Sequence, residues 1–238
     1  MKLDEILQSL FPAGYSATPR QGLLSGSGKR GNGTDVHILG VIDDTPLGIE
    51  DAAQLASQVL DIARTPGDAP ILLVIDSSSQ RMSRHDELLG LNEYLSHLAK
   101  ALFVAELHGH RSIGLLYGHT AAGAFIATAL AATVLVGLPG ATPEVMDLPS
   151  VSRVTKLSID VLKEKAKTNP VFAPGLDYLF PTGAVHQIWD PAKPLAEQLE
   201  TVLSQWPAED TRAQLGLARG GRPAAQRIID QVLALAGQ

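Results

Sequence analysis

The sequence predicts an α/β fold, one layered domain in which buried strands alternate with amphipathic helices. Three observations carry that prediction. Short, continuous apolar runs at Ile71-Leu-Leu-Val-Ile75, Ile113–Tyr117 and Thr133-Val-Leu-Val-Gly137 have the character of strands covered on both faces, as in parallel sheets. The segments between them place apolar residues at helical spacing. No linker and no internal repeat interrupts the 238 residues, a length that suits one sizeable core. Such alternation is the signature of an α/β architecture. Short strands and many helices favour a layered, spiral arrangement over a long open sheet. The expected organisation is an N-terminal extension with a Gly-rich hairpin over residues 1–33, a core over 34–206, and a C-terminal helical segment of the same domain over 207–238.

In chain order, Leu3, Ile6, Leu7 and Leu10 mark a short helix, followed by an irregular segment to about residue 20. The Gly-rich stretch Gly22–Gly33 comes next. Gly26, Gly28 and Gly31 match GxGxxG, but a dinucleotide fingerprint follows a strand and opens a helix, whereas strand-like Thr34–Ile42 follows here. Gly28-Lys29-Arg30 is no Walker A loop either. Gly31-Asn32-Gly33 reads as the turn of a hairpin joining two strands.

Thr45-Pro46 opens a helix whose face carries Ile49, Ala52, Ala53, Ala56, Val59, Leu60 and Ala63, and Thr65–Pro70 stops it. The strand Ile71–Ile75 ends in Asp76-Ser77-Ser78-Ser79, and strand ends of this kind hold ligands in α/β folds. Ser83 and Asp86 form a capping pattern, opening a helix to about Leu107 with Leu88, Leu91, Leu95, Leu98 and Leu102 on one stripe. After the strand Ile113–Tyr117, Gly118 is expected as a turn and Thr120 as the start of an almost side-chain-free helix. Further elements are a strand at Thr133–Gly137, another within Glu144–Leu148, helices around Ser150–Lys156 and Ser158–Lys167, and an irregular Asn169–Gly175. A last strand at Ala184–Trp189, a helix striped by Leu195, Leu199, Val202 and Leu203, and a helix from Arg222 to Ala236 with Pro223 in its first turn complete the chain.

Composition narrows the function. A net charge of −6 without a basic run argues against nucleic-acid or anionic-membrane partners. The absence of cysteine rules out disulfides, a Cys nucleophile and thiolate metal sites, and fits a reducing cytoplasm. The first residues, acidic and without a long apolar core, are not expected to act as a signal peptide, and no apolar run reaches membrane-spanning length.

A buried strand that turns into a helix of tiny residues offers free backbone N–H groups at a helix mouth, where the macrodipole favours an anion. The stretch Arg111–Phe125 is therefore the candidate site. Rival chemistries are poorly supported. His108 and His110 lack a third ligand, and no metal set is expected. Ser77, Ser78 and Ser79 lack a Gly-x-Ser-x-Gly elbow. Asp76 is suited to holding loop N–H groups. Arg153 and Lys156 suit a substrate carboxylate or a carrier-borne phosphopantetheine as well as a surface ion pair.

The segments Ile75–Gly90, Gly118-His-Thr-Ala-Ala-Gly-Ala-Phe125, Ser152-Arg-Val-Thr-Lys156 and Asn169-Pro-Val-Phe-Ala-Pro-Gly175 together resemble the carboxyltransferase branch of the crotonase/ClpP-like superfamily, with similarity to malonate decarboxylase gamma subunits over roughly Thr34–Trp206. The resemblance implies a carboxyltransferase-type, crotonase-like spiral of short β-β-α units. It implies a subunit of a carboxy-lyase that removes CO₂ from a malonyl thioester, leaving the acetyl thioester. Its partners would be a homologous beta subunit sharing the active site, an acyl carrier protein whose prosthetic group carries the thioester, and the acyl carrier protein transferase subunit. No cofactor would be bound by this chain; biotin enters only if the subunit is instead a biotin-dependent carboxyltransferase. A non-catalytic scaffold role is the third reading.

In relatives the corresponding turn reads Gly-Glu-Gly-Gly-Ser-Gly-Gly and its N–H groups form an oxyanion hole. The resemblance places the donors at Thr120 and Ala121, with Gly118 and His119 in the same turn. Ser77, Ser78, Tyr117, Ala122, Gly123 and Arg153 would surround the substrate. Such donors are what a decarboxylation needs, because its barrier is mostly the cost of negative charge on the thioester oxygen. Tyr117, His119, His85 or water would return the proton. Relatives' paired glycines are Thr120 and Ala121 here.

Overall fold

The structure, a computed structural model, describes residues 1–167 and 174–237. Helix α1 (Leu3–Leu10) leads into strands β1 (Tyr15–Arg20), β2 (Leu23–Lys29) and β3 (Asp35–Val41). Helix α2 (Ile49–Ala63) connects to β4 (Ile71–Ser77), and α3 (Arg84–Leu88) and α4 (Leu91–Leu107) connect to β5 (Ser112–Ala121). Then come α5 (Ala122–Ala127), β6 (Val134–Gly137), β7 (Thr142–Glu144), α6 (Leu148–Thr155) and α7 (Ile159–Ala166). The chain ends through α8 (Leu176–Leu179), β8 (Gln187–Ile188), α9 (Leu195–Ser204), α10 (Arg212–Ala218) and α11 (Pro223–Ala236).

The sheet runs β1-β2-β3-β4-β5-β6-β8, with β7 added to β5 beyond the end of β6. β1, β2 and β3 are antiparallel neighbours, and the pairs from β3 to β8 are parallel. Each face of the sheet carries its own core. On one side Leu39, Leu73, Ile75 and Leu116 pack against Leu55 and Val59 of α2, Leu98 and Leu102 of α4, and Phe125. On the other, Ile38, Leu72, Val74 and Leu115 pack against α1, against Leu195 and Leu199 of α9, and against Trp189. The strand runs read from the sequence are thus the two-sided centre of the sheet, as continuous apolar strands require.

Several boundaries differ from the sequence reading, each for a local reason. Tyr15–Arg20 is a strand rather than an irregular segment; it is a mostly exposed edge, so it carries no apolar run and tolerates Pro19. The helix expected from Ser83 to Leu107 is two helices. Ser83 caps α3 by accepting the Asp86 N–H at 3.0 Å, but Gly90 sits at φ +83° and restarts the chain as α4, which leaves Leu88 at 75% exposure. Helix α2 opens at Ile49, not at Thr45-Pro46. Leu47 is drawn into a bridge with the post-β4 loop, donating its N–H to Ser79 O and accepting that of Arg81. The strand expected within Glu144–Leu148 lies at Thr142–Glu144, and the one at Ala184–Trp189 shrinks to Gln187–Ile188. Helix α10 was not anticipated. Of the segment Asn169–Gly175, residues 169–173 lie outside the described residues. No helix among the described residues is long and apolar enough to cross a membrane.

Candidate functional site

The loops that follow β3, β4, β5 and β6 converge at the C-terminal edge of the parallel strands, and a bulge organises that edge. Ile75 pairs with Leu116 and Ser77 with Thr120, so Asp76 alone on β4 faces Tyr117, Gly118 and His119 on β5. Asp76 fills the gap and its Oδ1 accepts the His119 N–H at 3.0 Å. A Cβ at Gly118 would lie 2.1 Å from that oxygen, which is why this position has no side chain. Asp76 thus holds a main-chain N–H, as the sequence suggested, but that of a bulged strand residue rather than of a loop.

Gly118 and Thr120 are not where the sequence reading put them. β5 does not turn at Gly118; past the bulge it pairs again, with Ser77 on one side and with β7 on the other, through His119–Thr142, Thr120–Pro143 and Ala121–Glu144. Helix α5 therefore opens two residues later than expected, with Ala121 as its N-cap and Ala122 as its first residue. The turn itself is Ala122, at φ +50°. A non-glycine residue in that region is strained by roughly 1–2 kcal/mol. The next residue is also fixed: Gly123 donates its N–H to Gln80 Oε1 at 2.8 Å, tying α5 to the loop after β4.

Side chains alternate along a strand, so Thr120 and His119 face opposite sides. Thr120 and its register partner Ser77 are fully buried, and neither Ser77 Oγ nor Thr120 Oγ1 has a hydrogen-bond partner. Whatever these two contribute to a ligand, they contribute through the main chain. His119 and Ala121 share the other face with Thr142 and Glu144. There His119 Nδ1 lies 3.1 Å from Thr142 Oγ1 and Nε2 lies 3.9 Å from Glu144 Oε1. Burial raises the Glu144 pKa, against a smaller lowering by His119. Tyr117 is packed against the α1/α9 core, and burial, then Asp76 and Asp43, push its hydroxyl far above its ordinary value.

Of the other candidates, Ser78, Ala122 and Gly123 lie partly exposed at this edge, and Arg153 is exposed on α6. His85 is on α3, 69% exposed and 3.8 Å from Glu50. Asp86, read only as a capping residue, has a larger structural part. It is buried, receives Arg81 Nε at 2.8 Å and the Ile49 N–H at 3.0 Å, and so anchors the start of α2; Arg81 holds its carboxyl well below the usual range. Gln80, Thr142 and Glu144 escaped the sequence reading. Their roles depend on which strand ends become neighbours, and no local pattern marks that.

Groups of His, Cys, Asp and Glu able to hold a metal ion do not occur among the described residues. A cleft of about 490 Å³ lies at the opposite edge, between Arg30, Asp35, Pro70 and Arg111 at the N-terminal ends of the parallel strands. Its Arg30 is already paired with Glu200, through Nε at 2.8 Å. The C-terminal edge remains the better candidate, because it gathers the bulge, the strained turn and the His119 cluster.

A sequence profile of the malonate decarboxylase gamma subunit matches residues 42–236. The malonyl-S-ACP:biotin-protein carboxyltransferase MADD of Malonomonas rubra is 35% identical over 122 residues, which is 50% of this chain and 42% of that protein. The chain thus aligns with less than half the length of this relative. Among solved structures, the Pseudomonas malonate decarboxylase hetero-tetramer in complex with coenzyme A superposes with a TM-score of 0.80 at 23% identity, covering 97% of this chain and 99% of that one. The Pseudomonas MdcD-MdcE hetero-dimer gives 0.75 at 24% identity, with 98% of each chain covered. Transcarboxylase 12S gives 0.68 at 17% identity over 87% of this chain and 41% of that one. The α/β domain with its mixed sheet is therefore a carboxyltransferase-type, crotonase-like fold, as the resemblance implied.

Proposed function

This chain belongs to the malonate decarboxylase gamma subunit family, and we propose that it supplies part of the site at which a malonyl thioester loses CO₂. The observation that carries this reading is the strained strand-to-helix turn at Ala121–Ala122, set at the C-terminal edge of the sheet. When the C–CO₂ bond breaks, its electron pair flows onto the thioester carbonyl. Preorganised main-chain N–H groups stabilise that oxygen, and one such donor is typically worth about 10²–10³ in rate. The N–H of Ala122, the first residue beyond the paired strand, is assigned as the principal donor, with Ala121 closing the strand before it. Gly123 is left out because its N–H is held by Gln80. Thr120, the sequence-based candidate, lies within the sheet between Ser77 and Pro143 and acts as a buttress. Gly118 and His119 shape the turn through Asp76. Ser78, Tyr117 and Arg153 are assigned as further substrate contacts.

Ser78, His119, Ala122 and Gly123 are partly exposed at this edge, which suits a site completed by a homologous beta subunit. The thioester would arrive on an acyl carrier protein loaded by its transferase. A second reading is favoured by one observation, the likeness to a protein named as a biotin-protein carboxyltransferase: the same turn would then serve transfer of the carboxyl group to a biotin carrier.

The test is to co-purify the chain with its beta partner and follow CO₂ release from malonyl-acyl carrier protein, with and without a biotinylated carrier. Biotin-independent release by the pair, and none by the chain alone, supports the shared decarboxylase site. Release that requires the carrier moves the assignment to carboxyl transfer. A pair that folds and assembles but releases no CO₂ under either condition overturns both and leaves a scaffold role.

A further inference from the structure

Decarboxylation leaves a carbanion that must take up a proton, and the geometry points to His119 as the proton donor, with Thr142 orienting its ring and Glu144 holding its charge. This inference rests on the decarboxylase reading and deepens it.

The ring stands in the right place. His119 and Ala121 lie two residues apart on one face of β5, a span of about 7 Å. A thioester oxygen at the Ala121–Ala122 turn would hold its α-carbon on that side. The ring is also reachable, its side chain being 35% exposed. Its two nitrogens are not equivalent. Nδ1 is tethered to Thr142 Oγ1 at 3.1 Å. Nε2 is 3.9 Å from Glu144 Oε1, beyond a hydrogen bond but close enough for a carboxylate to stabilise an imidazolium. The Nε2 proton is therefore not committed to an internal acceptor and is free to be delivered.

The balance closes without a co-reactant. The enolate pair forms the new C–H bond as the Nε2–H bond breaks, imidazolium becomes neutral imidazole, and solvent water returns the proton after product leaves. The other titratable groups facing the cluster are Asp76, which accepts the His119 N–H, Asp147, which acts on Glu144, and Tyr117 with Asp43 behind it. Tyr117 is a poor donor because its surroundings hold its proton more tightly. His85 sits on another element, against Glu50.

Two measurements on the full chain in its complex test the role. In turnover, His119→Gln is expected to lower kcat by about 10²–10⁴ with KM little changed, and the truncation His119→Ala to lower it equally but to be partly rescued by added imidazole. In turnover, Glu144→Gln is expected to lower kcat on the order of tenfold, less than the loss of the ring itself, again with KM little changed. A complex that turns over normally with His119→Gln, or with Glu144→Gln, overturns the role and leaves the decarboxylase reading standing. A wild-type complex that releases no CO₂ overturns that reading, and the proton-delivery role with it.

Discussion

Two glycine-bearing stretches in this chain look alike on paper and differ in what they do. In Gly26–Gly33 the glycines of the strand, Gly26 and Gly28, serve packing. A Cβ at Gly26 would lie 2.0 Å from Ser16 O, and one at Gly28 would lie 2.5 Å from the Phe11 ring. The stretch matches a phosphate-loop pattern literally, yet forms an antiparallel hairpin, and its N–H groups serve the ladder. In Gly118–Gly123 a Cβ at Gly118 would also meet a neighbour, but that neighbour is Asp76, a carboxylate holding the N–H of the bulged strand beside a strained turn. A glycine pattern gains chemical meaning from the strand end to which it is attached.

Paired substitutions break or sharpen that comparison. Gly118→Val forces Asp76 aside and is expected to cost about 1–3 kcal/mol and to lower turnover of the complex by at least about 10². Gly28→Ala presses on Phe11 and should cost a similar 1–3 kcal/mol, while the folded fraction turns over normally. Unfolding curves run beside CO₂ assays separate the two, and a Gly28→Ala protein that is folded but inactive would break the comparison.

Acid sharpens it differently, since the scaffold has its own titration. His186 accepts the Leu135 N–H on Nδ1 at 3.1 Å, and its pKa is lowered, chiefly by burial and then by Arg212, to about 4. The unfolded imidazole titrates near 6.5, so between about 6.5 and 4 the unfolded state binds more protons and stability falls as pH falls, by at most about 1.4 kcal/mol per pH unit. His186→Gln should flatten denaturant-midpoint profiles over that window. Any further loss of activity on acidification then belongs to the site.

Asp76→Ala leaves the His119 N–H without its acceptor and should cost about 1–3 kcal/mol in thermal unfolding. Gln80→Leu frees the Gly123 N–H, and because that donor sits at a partly exposed edge the loss should be smaller, about 1 kcal/mol.

Much of the scaffold was legible because its signals are local. The runs at Ile71–Ile75 and Ile113–Tyr117, the apolar face of α2, the Gly31-Asn32-Gly33 turn and the Ser83 cap all follow from spacing or turn chemistry. The edge strand Tyr15–Arg20 was not, since an exposed strand has no apolar pattern to show. Within the site, Gly118 and the small residues after it pointed to the right edge. The bulge that shifts the helix start from Thr120 to Ala122 could not be read, because it exists only against Asp76 on another strand. The Thr142–Glu144 partners of His119 were hidden for the same reason: β7 reaches β5 after a crossover, and local sequence carries no record of that pairing.

The central claim is that main-chain donors at the turn stabilise the enolate oxygen. Proline cannot probe Ala122, because its fixed φ is incompatible with +50°. Replacing alanine at this position by its α-hydroxy acid analogue turns one amide into an ester and removes that N–H alone. If the turn works as described, a complex that assembles normally should lose about 10²–10³ in CO₂ release from malonyl-acyl carrier protein. Full turnover by that ester-containing complex would contradict the assignment.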